Sequence, residues 1–506
     1  MSKHAAGPLL GLLRLDRSLS TPLHRQLYEE LRAAILTERI PRGERLPSTR
    51  TMAAELSVSR RTVLDAFLQL FAEGYVEGRI GAGTYVACAL PDDLLQAAVP
   101  SGDPGPSSED APARLSERFT RQWGALPPSF NEWLFPKPDE RAFRIGLPAF
   151  DAFPSALWKR LIVNLGRGLQ EEFFIRNDRA GHGPLREAVA AYLAVSRGVR
   201  CTAGQIIIVN GSQQALSLIA HVLLDPGDSV WIENPGYFGA KGALLGAGAN
   251  LVPVPVDSEG LDVEAGRALC PSARMAFVTP SHQMPLGVTM SLSRRLALLE
   301  WARATGAWVI EDDYDSEFRY SSRPLAALQS LDTTGRVLYT GTFSKVLFPG
   351  LRLGYLVVPP GLVDAITTAR LFADMYSPLL EQLLVTEFIQ EGHFERHVRR
   401  MRSLYAERQA VLVEAAERDL AGLLEVAPAE SGMHLLGLLP QGTDDQAVVR
   451  AARQHEVRVL ALSRQYMDSP GAPEPRSGLI LGYAAVPPAD IISGVRRLGQ
   501  ALQSRL

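Results

Sequence analysis

Lysine is scarce in this chain. Five of its 52 basic residues are lysines (Lys3, Lys137, Lys159, Lys241 and Lys345), and arginine serves everywhere else. Cysteine is scarcer still: Cys88, Cys201 and Cys270 lie far apart and form no Cys-x-x-Cys pair, which argues against a structural zinc site or a disulfide framework and fits a reducing cytoplasm. No apolar run reaches the roughly 18 residues that read as a membrane helix. The N-terminus is briefly apolar over residues 8–13 but lacks a signal-peptide cleavage pattern, so a soluble, cytoplasmic protein with no membrane contact is expected. Excess charge is missing too. A net charge of −3 rules out a bulk polycation, so any nucleic-acid contact has to come from local clustering. Residues 1–88 hold twelve basic against nine acidic residues, a mild local excess of the required sign.

With 506 residues and 46% hydrophobic content, the chain is too long for one ordinary domain and apolar enough for a large core. No fixed-period repeat is visible. Residues 15–88 read as one small unit. Leu23, Leu27, Leu31 and Ile35 recur at helical spacing. Ser48 can cap a second short helix carrying Met52, Ala53 and Leu56, and Ser59 a third carrying Val63, Ala66, Phe67 and Leu70, which Gly74 stops. The runs 75–80 and 84–86 flank Gly81-Ala82-Gly83 as a hairpin. Three helices and a hairpin make a winged helix-turn-helix. In that motif the first turn of the third helix enters the major groove, where Ser59, Arg60, Arg61 and Thr62 would reach phosphates and base edges of double-stranded DNA.

Residues 89–140 are rich in proline, glycine and serine, notably over 100–108, and read as a flexible linker whose later part, around Phe119, Trp123 and Trp133, can dock on a neighbour. From 141 to 506 short apolar strands (205–209, 229–232, 275–278, 307–310, 337–340 and 355–358) alternate with helical segments. That texture predicts an α/β domain with a mostly parallel sheet covered on both faces. From about residue 366 the pattern turns helical with a few strands such as 479–481, as in a smaller C-terminal α+β lobe.

Ligands of open parallel sheets bind outside the carboxyl ends of the strands. Three such ends carry chemistry. Gly211-Ser212-Gln213 opens a helix and can cradle a phosphate; Asp312 ends a second strand; Lys345 follows a third, beside the apolar Val346-Leu347-Phe348. An amine nucleophile, a carboxylate and a phosphate cradle are what pyridoxal 5'-phosphate requires. Each part alone has a bland reading: a solvated lysine, a helix cap, a strand-to-helix turn.

Longer signatures tie the parts together: GSQQAL (211–216), LDPGD (224–228), ENPGY (233–237), TPSHQMPLG (279–287), EDDYDSEFRY (311–320) and GTFSKVLFPGLRLGY (341–355). Residues 145–500 resemble the fold type I aminotransferases. With the N-terminal module the chain resembles the MocR subfamily of GntR-type transcriptional regulators. The resemblance implies that Lys345 carries the Schiff base (internal aldimine) of pyridoxal phosphate and that Asp312 pairs with the pyridine nitrogen. Tyr314 would donate to the phenolic oxygen, Tyr237 would stack on the ring, and Gly211, Ser212, Gln213, Thr342 and Arg352 would hold the phosphate, with Ser281, His282 and Gln283 lining the site. For DNA it implies Ser48 and Arg50 as well as residues 59–62, with Gly83 at the wing tip. It also implies a homodimer.

Three positions depart from the aminotransferase pattern. Met284 stands where many of these enzymes have an asparagine, and a thioether cannot replace the amide's hydrogen bond. The arginine that clamps a substrate carboxylate before the last core strand is replaced by apolar residues in Ser477-Gly478-Leu479-Ile480-Leu481, with Arg476 the nearest candidate. The tyrosine often sent across a dimer interface has no match in residues 173–178. Two functions remain open at this level: a regulator that senses pyridoxal phosphate, or an amine or amino acid exchanging with it at Lys345, and an active aminotransferase with a DNA-binding appendage.

Overall fold

The computed structural model describes residues 13–79, 83–92, 116–117, 142–168, 178–320, 325–468 and 475–504. Outside them lie most of the predicted linker, with Phe119, Trp123 and Trp133, the wing tip at 80–82 and residues 173–177. The chain divides into two compact units, Met1–Arg114 and Leu115–Leu506.

The first unit holds helices α1 (Leu23–Leu36), α2 (Thr49–Glu55) and α3 (Arg60–Ala72), then strands β1 (Val76–Arg79) and β2 (Gly83–Val86). The strands pair antiparallel from Val76↔Val86 to Arg79↔Gly83. This is the three-helix and hairpin arrangement that the periodicity predicts. Leu27, Leu31, Ile35, Met52, Val63, Ala66 and Leu70 are fully buried in one core, while Leu23, the head of the stripe, is half-buried. Both predicted caps form: Ser48 Oγ accepts from the Thr51 N–H at 3.2 Å and Ser59 Oγ from the Thr62 N–H at 3.1 Å. Gly74, at φ +83°, takes the chain out of α3. Packing runs on past residue 88. Leu90 is buried in the same core, and Asp92 accepts from the Tyr75 hydroxyl at 2.5 Å and pairs with Arg32 at 3.1 Å, so the unit extends four residues into the stretch that composition assigned to the linker.

The second unit is built on an eight-stranded sheet. Its strands are β3 (Ile206–Val209), β4 (Ser229–Asn234), β5 (Asn250–Asp257), β6 (Gly260–Leu261), β7 (Met275–Val278), β8 (Trp308–Asp313), β9 (Val337–Thr342) and β10 (Gly354–Val357), in the order β3-β10-β9-β8-β7-β4-β5-β6. Strands β4, β5, β7, β8 and β9 run parallel, whereas β10 is antiparallel to both its neighbours, β3 and β9. All six predicted strands are present. β5 is an addition: Pro253 and Pro255 mask it in the sequence, and they are tolerated because they face away from β4, as the bond from the Asp262 N–H to Pro255 O at 2.9 Å and that from the Asn250 N–H to Asp228 O at 2.8 Å require. Alternate residues feed apolar layers on opposite faces, Ile310 with Val230 and Phe277 on one, Val309 with Trp231 and Ala276 on the other.

The C-terminal lobe is α+β, as its pattern predicts. Strands β11 (Glu425–Val426), β12 (His434–Leu438), β13 (Leu460–Ala461) and β14 (Gly478–Gly482) form an antiparallel sheet in the order β11-β12-β14-β13, packed with the Pro488–Gln503 and His393–Asp419 helices. A segment from the other end of the unit docks on this lobe: Ala142 bridges Val457, and Phe143 O accepts from the Gly482 N–H at 3.0 Å. Gly482 makes the approach possible, because a Cβ there would lie 2.1 Å from Arg144 O. Gly482→Ala is therefore expected to destabilise the protein by about 1–3 kcal/mol, the range for overpacking a filled site. A thermal midpoint equal to that of the parent chain would show that the junction is looser than its geometry.

Candidate functional site

The carboxyl ends of β3, β8 and β9 open into one cavity of about 760 Å³. Because β10 runs against its neighbours, its start lies at the same end, and Arg352 just before it joins the cavity wall. Gly211, at φ +95°, lets the chain turn from β3 into the Ser212–Leu223 helix, whose first N–H groups have no side-chain cap. Arg352 Nη2 donates to Asn210 O at 2.9 Å, which fixes the guanidinium beside that helix start. A helix N-terminus and an arginine side by side are a site for a phosphate.

Asp312 and Asp313 end β8 on opposite faces, as strand alternation requires. Asp313 faces a buried network in which Arg197 pairs with it at 2.7 Å and Tyr339 donates to it at 2.5 Å. Asp312 faces the cavity, where its Oδ1 is buried without a hydrogen-bond partner among the described residues. Burial, and then the Asp313 charge, push the Asp312 carboxyl up to about 7. A cationic ring N–H in the cavity would satisfy that oxygen. Lys345 follows β9 in a loop held by the buried Phe343, Val346 and Leu347. Its Nζ donates to Gly146 O at 3.1 Å, and burial pushes the amine below its ordinary value against the pull of Asp315 and Asp312.

Of the residues singled out in the sequence, Lys345, Asp312, Tyr314, Tyr237, Gly211, Ser212, Gln213, Thr342 and Arg352 all line this one cavity, as does Met284. Phosphate cradle, unpartnered carboxylate and amine fit pyridoxal phosphate. The loop 281–283 does not line the cavity as the resemblance implied. Ser281 accepts from Arg197, Gln283 donates to Glu233 and Pro235 O, and His282 stands behind Tyr314, its Nδ1 at 2.9 Å from the Tyr314 hydroxyl and 3.1 Å from Asp315. These polar side chains satisfy buried partners and are drawn inward. Arg476 is exposed and is not among the lining residues, and Leu479, Ile480 and Leu481 of β14 are buried in the lobe. Besides Arg352, the wall holds the guanidinium groups of Arg144 and Arg458, which sequence reasoning passed over, together with Gly146, Asp315 and His434. For Asp315 a signal existed, since it lies one residue past Tyr314 in the same signature.

In the first unit, Arg50, Arg60 and Arg61 are exposed at the starts of α2 and α3. Arg60 Nε lies 3.4 Å from Thr49 Oγ1, and Arg61 pairs with Asp65 one turn on at 2.9 Å. The Ser48 and Ser59 hydroxyls serve first as caps and also meet the Thr51 and Thr62 hydroxyls at 2.8 and 2.9 Å. Gly83 has φ +113°, and a Cβ there would sit 3.1 Å from Arg45 Nε. Arg45 adds a cation at the hairpin and Arg79, 4.5 Å over the Tyr85 ring, adds one that is paired with Glu77 at 2.9 Å; the sequence reading had singled out neither. The arrangement offers cations and hydroxyls at two adjacent helix starts, which is the chemistry of phosphate and base-edge contact.

Comparison with known proteins agrees with both domains. Residues 23–86 match the model of bacterial regulatory proteins of the gntR family, and residues 146–498 match aminotransferase class I and II. The chain is 44% identical to the probable rhizopine catabolism regulatory protein MocR of Rhizobium meliloti, over 97% of this chain and 96% of that one. It is 32% identical to the HTH-type transcriptional regulator TauR of Rhodobacter capsulatus, over 95% and 96%. Among solved structures, the α-aminoadipate aminotransferase LysN of Thermus thermophilus, complexed with N-(5'-phosphopyridoxyl)-L-leucine, superposes with a TM-score of 0.69 at 30% identity, covering 77% of this chain and 97% of the enzyme. The chain is thus a transcriptional regulator with an aminotransferase-like domain, and it belongs to the MocR-type members of the GntR family.

Proposed function

We propose that this regulator binds double-stranded DNA through α2, α3 and the hairpin, and that its second unit senses pyridoxal phosphate, or an amine or amino acid exchanging with it, at Lys345. One observation carries the reading. Lys345, the unpartnered Asp312 Oδ1 and the uncapped start of the Ser212–Leu223 helix with Arg352 converge on a single cavity. When bound, pyridoxal phosphate supplies an aldehyde carbon that Lys345 can hold covalently and that an incoming amine can take over, releasing Nζ. Arg352 and residues 211–213 would hold the phosphate, Asp312 would pair with the ring nitrogen, and Tyr237 would flank the ring. Nζ donates to Gly146 O, two residues past the segment that docks on the C-terminal lobe, and a covalent hold on Nζ would compete with that bond. A ligand shifts an equilibrium only by its differential affinity for the two states. Exchange at Lys345 supplies one.

The alternative, a working aminotransferase, would have to clamp a substrate carboxylate with Arg144 or Arg458 of the cavity wall, because the buried Leu479, Ile480 and Leu481 of β14 present no guanidinium, and Met284 offers no amide to the cofactor ring. A homodimer is expected for both sites, since paired half-sites and a shared cofactor site both call for two copies.

Three outcomes test the reading. Lys345→Ala abolishes the visible absorbance band that pyridoxal phosphate gives with the parent protein while leaving the circular dichroism unchanged; a band that persists removes Lys345 from the site. Asp312→Asn stabilises the cofactor-free protein in a pH-dependent way. The folded carboxyl titrates at about 7, above its ordinary 3.8, so the stability that the protonated form confers is complete below the ordinary value and is lost as pH rises through 7. The gain in thermal midpoint is therefore small at pH 4 and large at pH 8, and an equal gain at both would sink the argument. On DNA, Arg60→Ala and Arg61→Ala each weaken operator binding, by about 1–3 kcal/mol where the arginine reads a base, or uniformly with a salt slope reduced by about 1 where it meets a phosphate. Unchanged affinity and slope in both variants would remove α3 from the interface.

A further inference from the structure

Behind the cavity wall, two groups compete for one nitrogen. His282 Nδ1 lies 2.9 Å from the Tyr314 hydroxyl and 3.1 Å from Asp315 Oδ2, and His282 and Asp315 are both buried. If Nδ1 were bare, it would accept the Tyr314 proton but would turn its lone pair toward a carboxylate. If Nδ1 carries the proton, it donates to Asp315, and the Tyr314 proton is free for an acceptor on its other side. A carboxylate therefore selects the Nδ1–H form. The ring has no room to escape this choice. A Cβ on Gly432 would fall 2.1 Å from its Cε1, and one on Gly287 would fall 3.2 Å from its Nε2. Nε2 is buried without a partner among the described residues, and an orphaned lone pair is tolerated better than an orphaned N–H.

We propose that His282, held by Asp315 and clamped between Gly287 and Gly432, is a positioning residue that turns the Tyr314 proton into the cavity. Tyr314 then supplies to a phenolate oxygen beside the bound aldehyde the hydrogen bond that an amide at position 284 would share, and that the Met284 thioether cannot make. The inference rests on the reading that Lys345 and Asp312 hold pyridoxal phosphate. Asp315 belongs to the device because it fixes the tautomer, and not through the 4.8 Å cluster that it forms with His282 and His434. A metal held there would need His282 Nδ1, which already serves two partners, or Nε2, which faces two glycines.

Two measurements on the full-length protein test this. In the cofactor-free protein labelled with nitrogen-15 at histidine, one resonance pair shows a protonated Nδ1 and a bare Nε2; it disappears in His282→Gln and reverses in Asp315→Asn. An Nε2–H form for His282 in the parent chain would overturn the proposal. The second compares binding of pyridoxal phosphate with that of its 3-deoxy analogue, which lacks the phenolic oxygen. His282→Gln and Asp315→Asn each weaken pyridoxal phosphate about tenfold, the loss of one strong hydrogen bond, and weaken the analogue less than about twofold, within the noise of single-contact effects. Equal losses for both ligands would mean a structural role and would also overturn it. If neither ligand binds the parent protein, the cofactor reading fails instead, while the tautomer measurement still decides the role of His282.

Discussion

One close approach of backbone to backbone organises the second unit. Gly354, the first residue of β10, pairs with Val209 on one side and Thr342 on the other. A Cβ at that position would lie 2.9 Å from Gly341 O and 3.2 Å from Gly211 Cα. Any side chain there would wedge apart the turn after β3 and the loop after β9, which carry the phosphate cradle and the lysine. The antiparallel direction of β10 matters equally, since it brings the chain back to the end where its neighbours stop. Arg352 can then reach Asn210 O from two residues upstream. It does so with φ at +50°, a left-handed conformation that costs a non-glycine residue about 1–2 kcal/mol. Strain of that size persists where surrounding contacts over-determine it.

The parts of this site that were legible in the sequence are those fixed within a few residues of a strand end. Asp312 follows from a strand that must stop at the sheet's edge, Lys345 from an apolar loop in a chain that otherwise uses arginine, and Gly211 from the turn into a helix. Gly146 could not be read that way. It meets Lys345 across 199 residues of sequence, and only the docking of the 142–144 segment on the C-terminal lobe brings it there. Arg144 and Arg458 share that dependence. The error over His282 has a related cause. Nothing local tells whether a polar loop faces a cavity or a set of buried acids, and here Glu233, Asp313 and Asp315 draw the loop inward, directly for Gln283 and His282 and through Arg197 for Ser281. The fold itself was more legible than the site, because apolar strands of a doubly covered sheet announce themselves. The exception, β5, carries prolines that only its place next to the sheet's edge makes tolerable.

Around β8 the protein gathers carboxyl groups at a density that folding alone does not call for. Glu233, Glu311, Asp312 and Glu317 are each pushed up to about 7, in every case chiefly by burial. Glu311 and Glu233 have structural employment: the first accepts from the Leu328 and Gln329 N–H groups, the second from Thr279. Asp312 has no comparable partner among the described residues. An unsatisfied buried carboxyl is a cost of folding that a cationic ligand removes on binding. Under the proposed function, the result is a linkage between cavity occupancy and the stability of the sheet. That linkage is what a sensing domain needs from its site, irrespective of turnover.

The demands of sensing and of catalysis then separate at the substrate end of the cavity. Turnover requires interactions stronger in the transition state than in the ground state, and the missing guanidinium on β14 removes a means of orienting an amino acid for repeated proton transfer. A switch makes no such demand. Moving a two-state equilibrium from 1:99 to 99:1 takes about 5.5 kcal/mol of differential binding, and under the proposed function that difference comes from how the holds at Lys345, Asp312 and the start of the Ser212–Leu223 helix differ between the two states, with no reaction having to be completed. Under the proposed function, this chain keeps Lys345, Asp312 and the phosphate cradle, and lacks at Met284 an amide toward the cofactor ring and on β14 a guanidinium toward a substrate carboxylate.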